Sequence, residues 1–500
     1  MLFNTLQYFI FLPIVVIGYY ILPKKSRYIW LLAASYYFYM QWNPLYITLL
    51  FTSTLLTYAA GRMIDGLTNP PVKHEEGADA HGLSAGISKR KLVFVVCIVL
   101  NLGILGFFKY FTFAVDCLNH LFRSFHMGEI SWDYDILLPV GISFYTLQAL
   151  GYLIDVYRGE IRAEKNFIRY ALFVSFFPQL VAGPIERSRN LLAQLSDSRP
   201  FSYENLRRGM LLILYGLFLK MVISDRLAIM VDTVYGDSAA YPGFYIVAAT
   251  VFFAIQIYCD FYGYSTIARG SALLMGIHLM DNFNAPYFSK SVKEFWRRWH
   301  ISLSSWFRDY LYIPLGGNRK GVTRKELNHL LVFAVSGLWH GASMSYVFWG
   351  FLNGIYQIAE DAVSNIRKSA DDCFSRRVFQ RILTFSLVTL AWLFFRAGTF
   401  ANAGEMLTNI FASNNWVVLM NGSLYNLGVP ESHMKILLIS ILLLFLIDYQ
   451  KYQGKDVVEI FLRQGWFFRV LAILFFVYVI LLYGCYGEMF DTQQFIYFQF

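Results

Sequence analysis

Long stretches without a charged residue constrain this chain more than any other feature. Met1–Pro23, Tyr28–Gly61, Leu92–Phe108, Ile136–Ile154, Tyr170–Ile185, Ser238–Cys259, Leu327–Ala359, Ile382–Phe395, Ile436–Ile447 and Val470–Gly487 carry no Asp, Glu, Lys or Arg, and Gly209–Ser224 carries only Lys220. Hydrophobicity this continuous does not alternate as half-buried strands do. In lipid only helices and closed barrels satisfy every backbone group, so the windows read as helices. At roughly 20 residues per crossing, with Tyr28–Gly61 split at Gln41-Trp42-Asn43-Pro44, the windows predict about 11–12 spans. The expected class is an all-α polytopic membrane protein. Composition agrees: 57% of the 500 residues are hydrophobic and 15% charged, where an average soluble chain is about 25% charged. A disordered chain, a coiled coil, a small disulfide scaffold and an ordinary cytosolic enzyme are excluded.

Lys and Arg set the sides. Lys24, Lys25 and Arg27 put the first loop in the cytoplasm, with residues 1–22 a retained span and not a cleaved signal peptide. Residues 62–90 return inside. Asp116, Glu129, Asp133 and Asp135 against Arg123 put residues 116–135 outside, and residues 397–433 are expected there too. Arg158, Arg162, Lys165 and Arg169 mark the inside, and so do Arg187, Arg189, Arg199, Arg207 and Arg208. Between these two inside flanks lies one short segment, residues 170–185, broken by Pro178, Gly183 and Pro184. It cannot be a simple span and is expected to be re-entrant, which lipid tolerates only where backbone is buried in protein or lines a wet cavity.

The densest basic region, residues 282–326, holds nine Lys and Arg: Lys290, Lys293, Arg297, Arg298, Arg308, Arg319, Lys320, Arg324 and Lys325. Phe295, Trp296, Trp299, Trp306, Phe307, Tyr310 and Tyr312 interleave with them. That pattern predicts an amphipathic cytoplasmic helix at the membrane interface. The net charge of +9 follows from such flanking runs, so nucleic acid is not an expected partner. Cys97, Cys117, Cys259, Cys373 and Cys485 form no CxxC, which argues against a disulfide framework or zinc site. His74 and His81, seven apart in a Gly/Ala-rich loop, are a weak metal signal, and no metal is expected.

Polar groups in apolar windows point to function, because each is costly in lipid unless paired or wetted. Asp260 ends the run Tyr258-Cys259-Asp260-Phe261-Tyr262-Gly263-Tyr264. Lys220 lies near the end of its window and is expected to snorkel to the interface. His340, in Ser336-Gly337-Leu338-Trp339-His340-Gly341, lies roughly 20 Å along a helix counted from Leu327. Gly337 and Gly341 permit close approach of backbone or substrate, and Trp339 suits a pocket wall. His300 sits in the basic loop, where neighbouring Arg298 is expected to favour the neutral imidazole that a general base requires. No GxSxG, P-loop or dinucleotide fingerprint is present, so a nucleophile is expected from the substrate or a partner.

Phe176–Ile185, Tyr258–Tyr264, Phe295–Ser304, Trp306–Asn318, Ser336–Gly341 and the ending Phe495–Phe500 together resemble the membrane-bound O-acyltransferase superfamily. The resemblance covers nearly the whole chain as one membrane domain. It is greatest to the bacterial branch of alginate O-acetylation, peptidoglycan O-acetylation and teichoic acid D-alanylation. It implies helices, re-entrant and interfacial segments included, ringed around a central funnel. It implies that His340 and His300 are the functional histidines and that Arg297 and Arg298 hold donor phosphates. Asp260, Tyr264, Trp296, Trp299, Arg308, Asp309, Asn318 and Trp339 would line the substrate tunnel. The family run Asp-Phe-Ser-Gly-Tyr-x-Asp differs here, with Tyr262 at the Ser and Thr266 at the second Asp, so Asp260 is the motif's one acidic residue. The implied donor is acetyl-CoA, or alternatively an acyl carrier protein thioester, with no bound cofactor. The implied partners are an SGNH-type transferase and polysaccharide machinery in the bacterial cytoplasmic membrane. The competing expectation is a transporter or flippase using Asp260 and Lys220 along a pathway.

Overall fold

The computed structural model describes residues 1–68, 80–131, 138–181, 183–197, 199–366, 373–486 and 496, with backbone alone for 80–88 and 364–366. His74 and the ending around Ile496 therefore lie outside the described residues, as do the side chain of His81 and residues 132–135 of the expected outer loop. Every element among the described residues is helical. Among the described residues, six helices are long and apolar enough to cross a membrane: Tyr46–Thr68, Lys89–Ser124, Phe244–Leu274, Phe374–Arg396, Glu431–Tyr452 and Trp466–Tyr483. The remaining apolar windows form shorter or broken helices, such as Leu6–Ile21.

The described residues cluster into two compact units. One comprises Met1–Gly209 and Ser271–Met280. It contains α1 (Leu6–Ile21), α2 (Arg27–Met40), α3 (Tyr46–Thr68), α4 (Ala80–Ser124), α5 (Ile142–Tyr157), α6 (Phe167–Ser175), α7 (Phe177–Leu180) and α8 (Ser188–Ser196). The chain breaks between α2 and α3 where Asn43-Pro44 predicts. The α4 helix runs on through Ser124, well beyond the charge-free window that ends at Phe108. Tyr8 shares a 2.6 Å hydrogen bond with Ser271, and the Tyr20 hydroxyl donates to the Leu274 carbonyl, which ties residues 271–280 to α1.

The Pro-broken segment is buried and bent. The α6 helix ends at Phe176, where φ −52° and ψ 111° leave the helical region. In an unbroken helix the Phe177 N–H would bond to the Phe173 carbonyl. Here it donates to Ser35 Oγ at 3.1 Å, and the Phe173 carbonyl accepts from Gln148 Nε2 at 2.6 Å and Gln179 Nε2 at 2.8 Å. Pro178 brings no N–H of its own to the break. Helices of 9 and 4 residues are each too short to cross a ~30 Å hydrocarbon core.

The second unit comprises Met210–Gly270 and Asp281–Phe500. Helix α9 (Tyr203–Leu217) leads through a π-helical turn, Phe218–Ser224, into α10 (Asp225–Gly236), followed by α11 (Phe244–Leu274). Next come α12 (Val292–Arg298), α13 (Ile301–Phe307), α14 (Val322–His340), α15 (Met344–Ile366), α16 (Phe374–Arg396), α17 (Phe400–Ala412), α18 (Glu431–Tyr452), α19 (Val457–Leu462) and α20 (Trp466–Tyr483). Gly216 and Gly263 face each other, and a Cβ on either would overlap the other's carbonyl oxygen. Two glycines therefore let α9 and α11 approach closely beside Lys220.

Candidate active site

The α14–α15 hairpin presents His340. A Cβ at Gly337 would overlap the Tyr346 carbonyl oxygen, and one at Gly341 would overlap the Tyr346 ring. The two glycines flanking His340 thus admit the neighbouring helix, and the space beside them is filled by Tyr346. His340 is the last helical residue of α14, and Gly341 is extended at φ −165°. The imidazole is 4% exposed. It lies edge-on among Trp339, Trp349 and Phe395, at centroid distances of 4.9, 5.2 and 5.4 Å. Trp349 in turn stacks on Trp392 at 5.3 Å. The result is a packed aromatic cluster that keeps the imidazole from bulk water.

His300 reaches the same aromatic cluster by a different route. The predicted single amphipathic helix is instead two seven-residue helices, interrupted at His300 by a left-handed backbone (φ 42°, ψ 54°). Left-handed geometry is unusual for a side chain of this size. Asn282 holds it: its carbonyl accepts the Ile301 N–H at 3.0 Å and its Oδ1 accepts the Ser302 N–H at 3.3 Å. His300 is fully buried. Its ring packs edge-on against Phe261 at 4.6 Å and lies 6.1 Å from Trp339. Two histidines 40 positions apart therefore share one indole. Burial lowers the His300 pKa from 6.5 to about 3, so the imidazole is neutral, as expected. The cause differs from the expected one. The Arg298 guanidinium turns away to Glu294 (2.9 Å), the Asn284 carbonyl (3.2 Å) and the Tyr452 ring (4.5 Å).

Asp260 is held in a buried charge cluster. Lys220 Nζ lies 2.6 Å from Asp260 Oδ1 and 2.7 Å from Asp225 Oδ1, and the Ile496 N–H donates to Asp260 Oδ2 at 2.7 Å. Lys220 is 1% exposed and sits 5.3 Å from the Tyr264 ring. It does not snorkel, because two carboxylates compensate its charge in place. Asp225 and Lys220 are five residues apart across the π-helical turn, and no sequence window suggested that pairing.

The other candidates divide by environment. Trp296 and Trp299 are buried. Trp296 Nε1 donates to Asn353 Oδ1 at 3.1 Å, while Trp299 stacks on Phe295 at 5.3 Å and lies 5.1 Å from Trp392. Arg297 is exposed. Arg308 pairs with Asp309 at 2.8 Å on a partly exposed π-helical turn, and Asn318 accepts from the Tyr312 hydroxyl. Sequence reasoning missed Phe261, Trp349, Phe395, Asn353 and Asn282. It also missed Asp448, a fully buried carboxylate that accepts from the Tyr258 hydroxyl at 2.7 Å. The available signal for Asp448 was an acid closing the run Ile436–Ile447.

Residues 160–397, which include both histidines, match the model of the membrane-bound O-acyltransferase (MBOAT) family. The chain is 38% identical over 408 residues to "Probable alginate O-acetylase AlgI" of Pseudomonas syringae pv. tomato, covering 82% of this chain and 74% of the relative. It is 33% identical over 446 residues to the peptidoglycan O-acetyltransferase of Helicobacter pylori, covering 83% and 80%. It is 26% identical over 290 residues to the teichoic acid D-alanyltransferase of Bacillus subtilis, covering 53% and 71%.

Proposed function

From the premise that this chain belongs to the membrane-bound O-acyltransferase family, we propose that it passes an acetyl group from acetyl-CoA across the bacterial cytoplasmic membrane. The multi-pass membrane acyltransferase would use His340, with His300 beside it. The observation that carries the reading is the pair of buried imidazoles that both neighbour Trp339. A buried imidazole among aromatic rings suits either of two reactions. As general base, His340 takes the acceptor's hydroxyl proton while that oxygen attacks the thioester carbonyl. The C–S bond breaks, the C–O bond forms, and the proton leaves with the CoA thiol. As nucleophile, the His340 nitrogen attacks the thioester carbonyl, the C–S bond breaks with CoA leaving as thiolate, and in a second step the acceptor hydroxyl takes the acyl group while its proton goes to the thiolate.

The final acceptor is proposed to be an extracytoplasmic polysaccharide, reached through a separate SGNH-type transferase. Acetyl is preferred to D-alanyl because the two relatives named for O-acetylation share 38% and 33% identity, against 26% for the D-alanyltransferase. Arg297 is proposed to meet the donor phosphates. Asp260, Tyr264, Trp296, Trp299, Arg308, Asp309, Asn318 and Trp339 are proposed to line or support the acyl path.

The test is transfer of labelled acetyl from acetyl-CoA by the purified full chain, with a D-alanyl carrier protein as the competing donor. His340→Ala and His340→Gln should each lose transfer by about 10²–10⁴-fold as a base, with folding retained. A label trapped on the wild-type chain and absent from His340→Gln would identify the covalent route. Wild-type turnover by a folded His340→Ala protein would overturn the assignment. Use of the D-alanyl donor alone would overturn the acetyl reading.

A further inference from the structure

A cavity lies in the unit formed by Met210–Gly270 and Asp281–Phe500, walled by α9, the end of α11, the α18–α19 turn and α20. Its volume is about 550 Å³, within the range of small-molecule sites. Its walls are mostly aliphatic and aromatic, with Leu214, Ile447, Phe461, Ile473 and Phe476 among them. Arg269, Lys451 and Lys455 oppose Asp281 and Asp456 along its rim, three cations to two carboxylates. Arg269 pairs with Asp281, and Lys451 Nζ donates to the Phe283 carbonyl at 2.6 Å.

We propose that this cavity binds one anionic phospholipid, headgroup against Arg269 and acyl chain along α20. Three observations converge on that occupant. First, Arg269 Nε, Tyr215 Oη and Asn284 Oδ1 are buried polar atoms with no hydrogen-bond partner among the described residues. The first two are donors suited to phosphate oxygens, and the third is an acceptor suited to a headgroup hydroxyl. Second, the net charge of one positive matches one phosphodiester. An acyl-CoA would bring several phosphates and an adenine to walls that are mainly hydrocarbon. Third, α20 is the least buried of the six spanning candidates, with 11% of its apolar window inside the protein, so this wall belongs to the lipid boundary. Arg269 and Lys451 stand near the ends of α11 and α18, where headgroups lie, and Trp466 at the start of α20 is 70% exposed, as interfacial anchors are. Basic pockets between membrane helices are established headgroup sites. Ile301 and Asn284 also line the cavity, so the lipid would touch the segment that carries His300.

The test is native mass spectrometry of the purified full chain after reconstitution in phosphatidylcholine vesicles with and without phosphatidylglycerol. Wild type should retain one phosphatidylglycerol in preference to phosphatidylcholine. Leu214→Trp, which fills the cavity without altering charge, and Lys455→Gln on the exposed rim should both reduce retention. Arg269→Gln should reduce it about tenfold or more, as loss of a charge-assisted bond does. Equal retention by well-folded Leu214→Trp would overturn the proposal. So would displacement of the lipid by acetyl-CoA or by inorganic phosphate, which would make this a donor or simple anion site. Because the readout is bound lipid, it stands whether or not the acetyl reading survives.

Discussion

At the scale of single residues, His300 and Lys220 show how burial changes what a side chain does. His300 has a folded pKa of about 3 against an ordinary 6.5. Below pH 6.5 the unfolded chain takes up a proton that the folded chain refuses. The stabilisation is therefore complete above about pH 6.5 and is lost as pH falls toward 3, by up to about 1.4 kcal/mol per pH unit. Thermal melts of wild type and His300→Gln at pH 7.5 and 5 should show a larger acid drop in wild type, since glutamine does not titrate. An equal drop in both would mean that the site admits water and protonates normally. For the Lys220 cluster, removing one partner leaves buried charge uncompensated, which costs about 3–5 kcal/mol. Lys220→Met should therefore collapse expression, while Lys220→Met with Asp225→Asn and Asp260→Asn should recover part of it. The polar residues themselves were legible, because His340, Asp260 and Lys220 interrupt or close apolar sequence and His300 stands among interleaved arginines and tryptophans. Their partners were not: Trp349, Phe395 and Asn282 are unremarkable in sequence and matter only through where tertiary packing puts them.

At the scale of elements, the two irregular segments were located by sequence with unequal success. Pro178 between two basic flanks marked the break after α6, and the structure puts it at Phe176. The amides that satisfy the break were invisible, since Gln148 lies on α5 and acts only by reaching the Phe173 carbonyl. Gln148→Leu should cost about 0.5–1.5 kcal/mol if Gln179 still serves that carbonyl, and more if the segment shifts. A thermal melt measures it. The basic-aromatic loop was read as one helix because its spacing is helical, but Asn282 captures two N–H groups, one with its carbonyl and one with its side chain, and turns the chain at His300. Within α12 the two arginines face different surroundings: Arg298 is engaged within the protein and Arg297 is exposed. Arg297→Gln should raise KM for the acyl donor with little change in kcat, as loss of uniform binding does. Arg298→Gln should lower the melting temperature as well. If Arg297→Gln leaves KM unchanged, that side chain anchors the membrane surface only.

At the scale of the molecule, the all-α class was legible because charge-free windows have no other stable solution in lipid. Individual lengths were less so, since helix α4 continues through polar residues to Ser124 once it leaves the apolar core. Sidedness follows from Lys and Arg alone, and two native cysteines make it testable with little engineering. Cys117 and Cys373 are exposed, while Cys97, Cys259 and Cys485 are buried. The charge pattern puts Cys117 near the outer end of α4. Cys373 precedes α16, whose far end leads into residues 397–433, expected outside, so Cys373 is expected in the cytoplasm. The Ser375 hydroxyl and the backbone beside Cys373 lower its thiol pKa, which favours the reactive thiolate. A lack of labelling there would report sidedness and not sluggish chemistry. An impermeant maleimide applied to intact cells should therefore label Cys117 and spare Cys373, and cell lysis should expose Cys373. A cysteine introduced at Lys320 should behave as Cys373 does. Labelling of Cys373 or position 320 from outside would invert every span from α11 onward and move the His300 loop, with its arginines, away from a cytoplasmic donor.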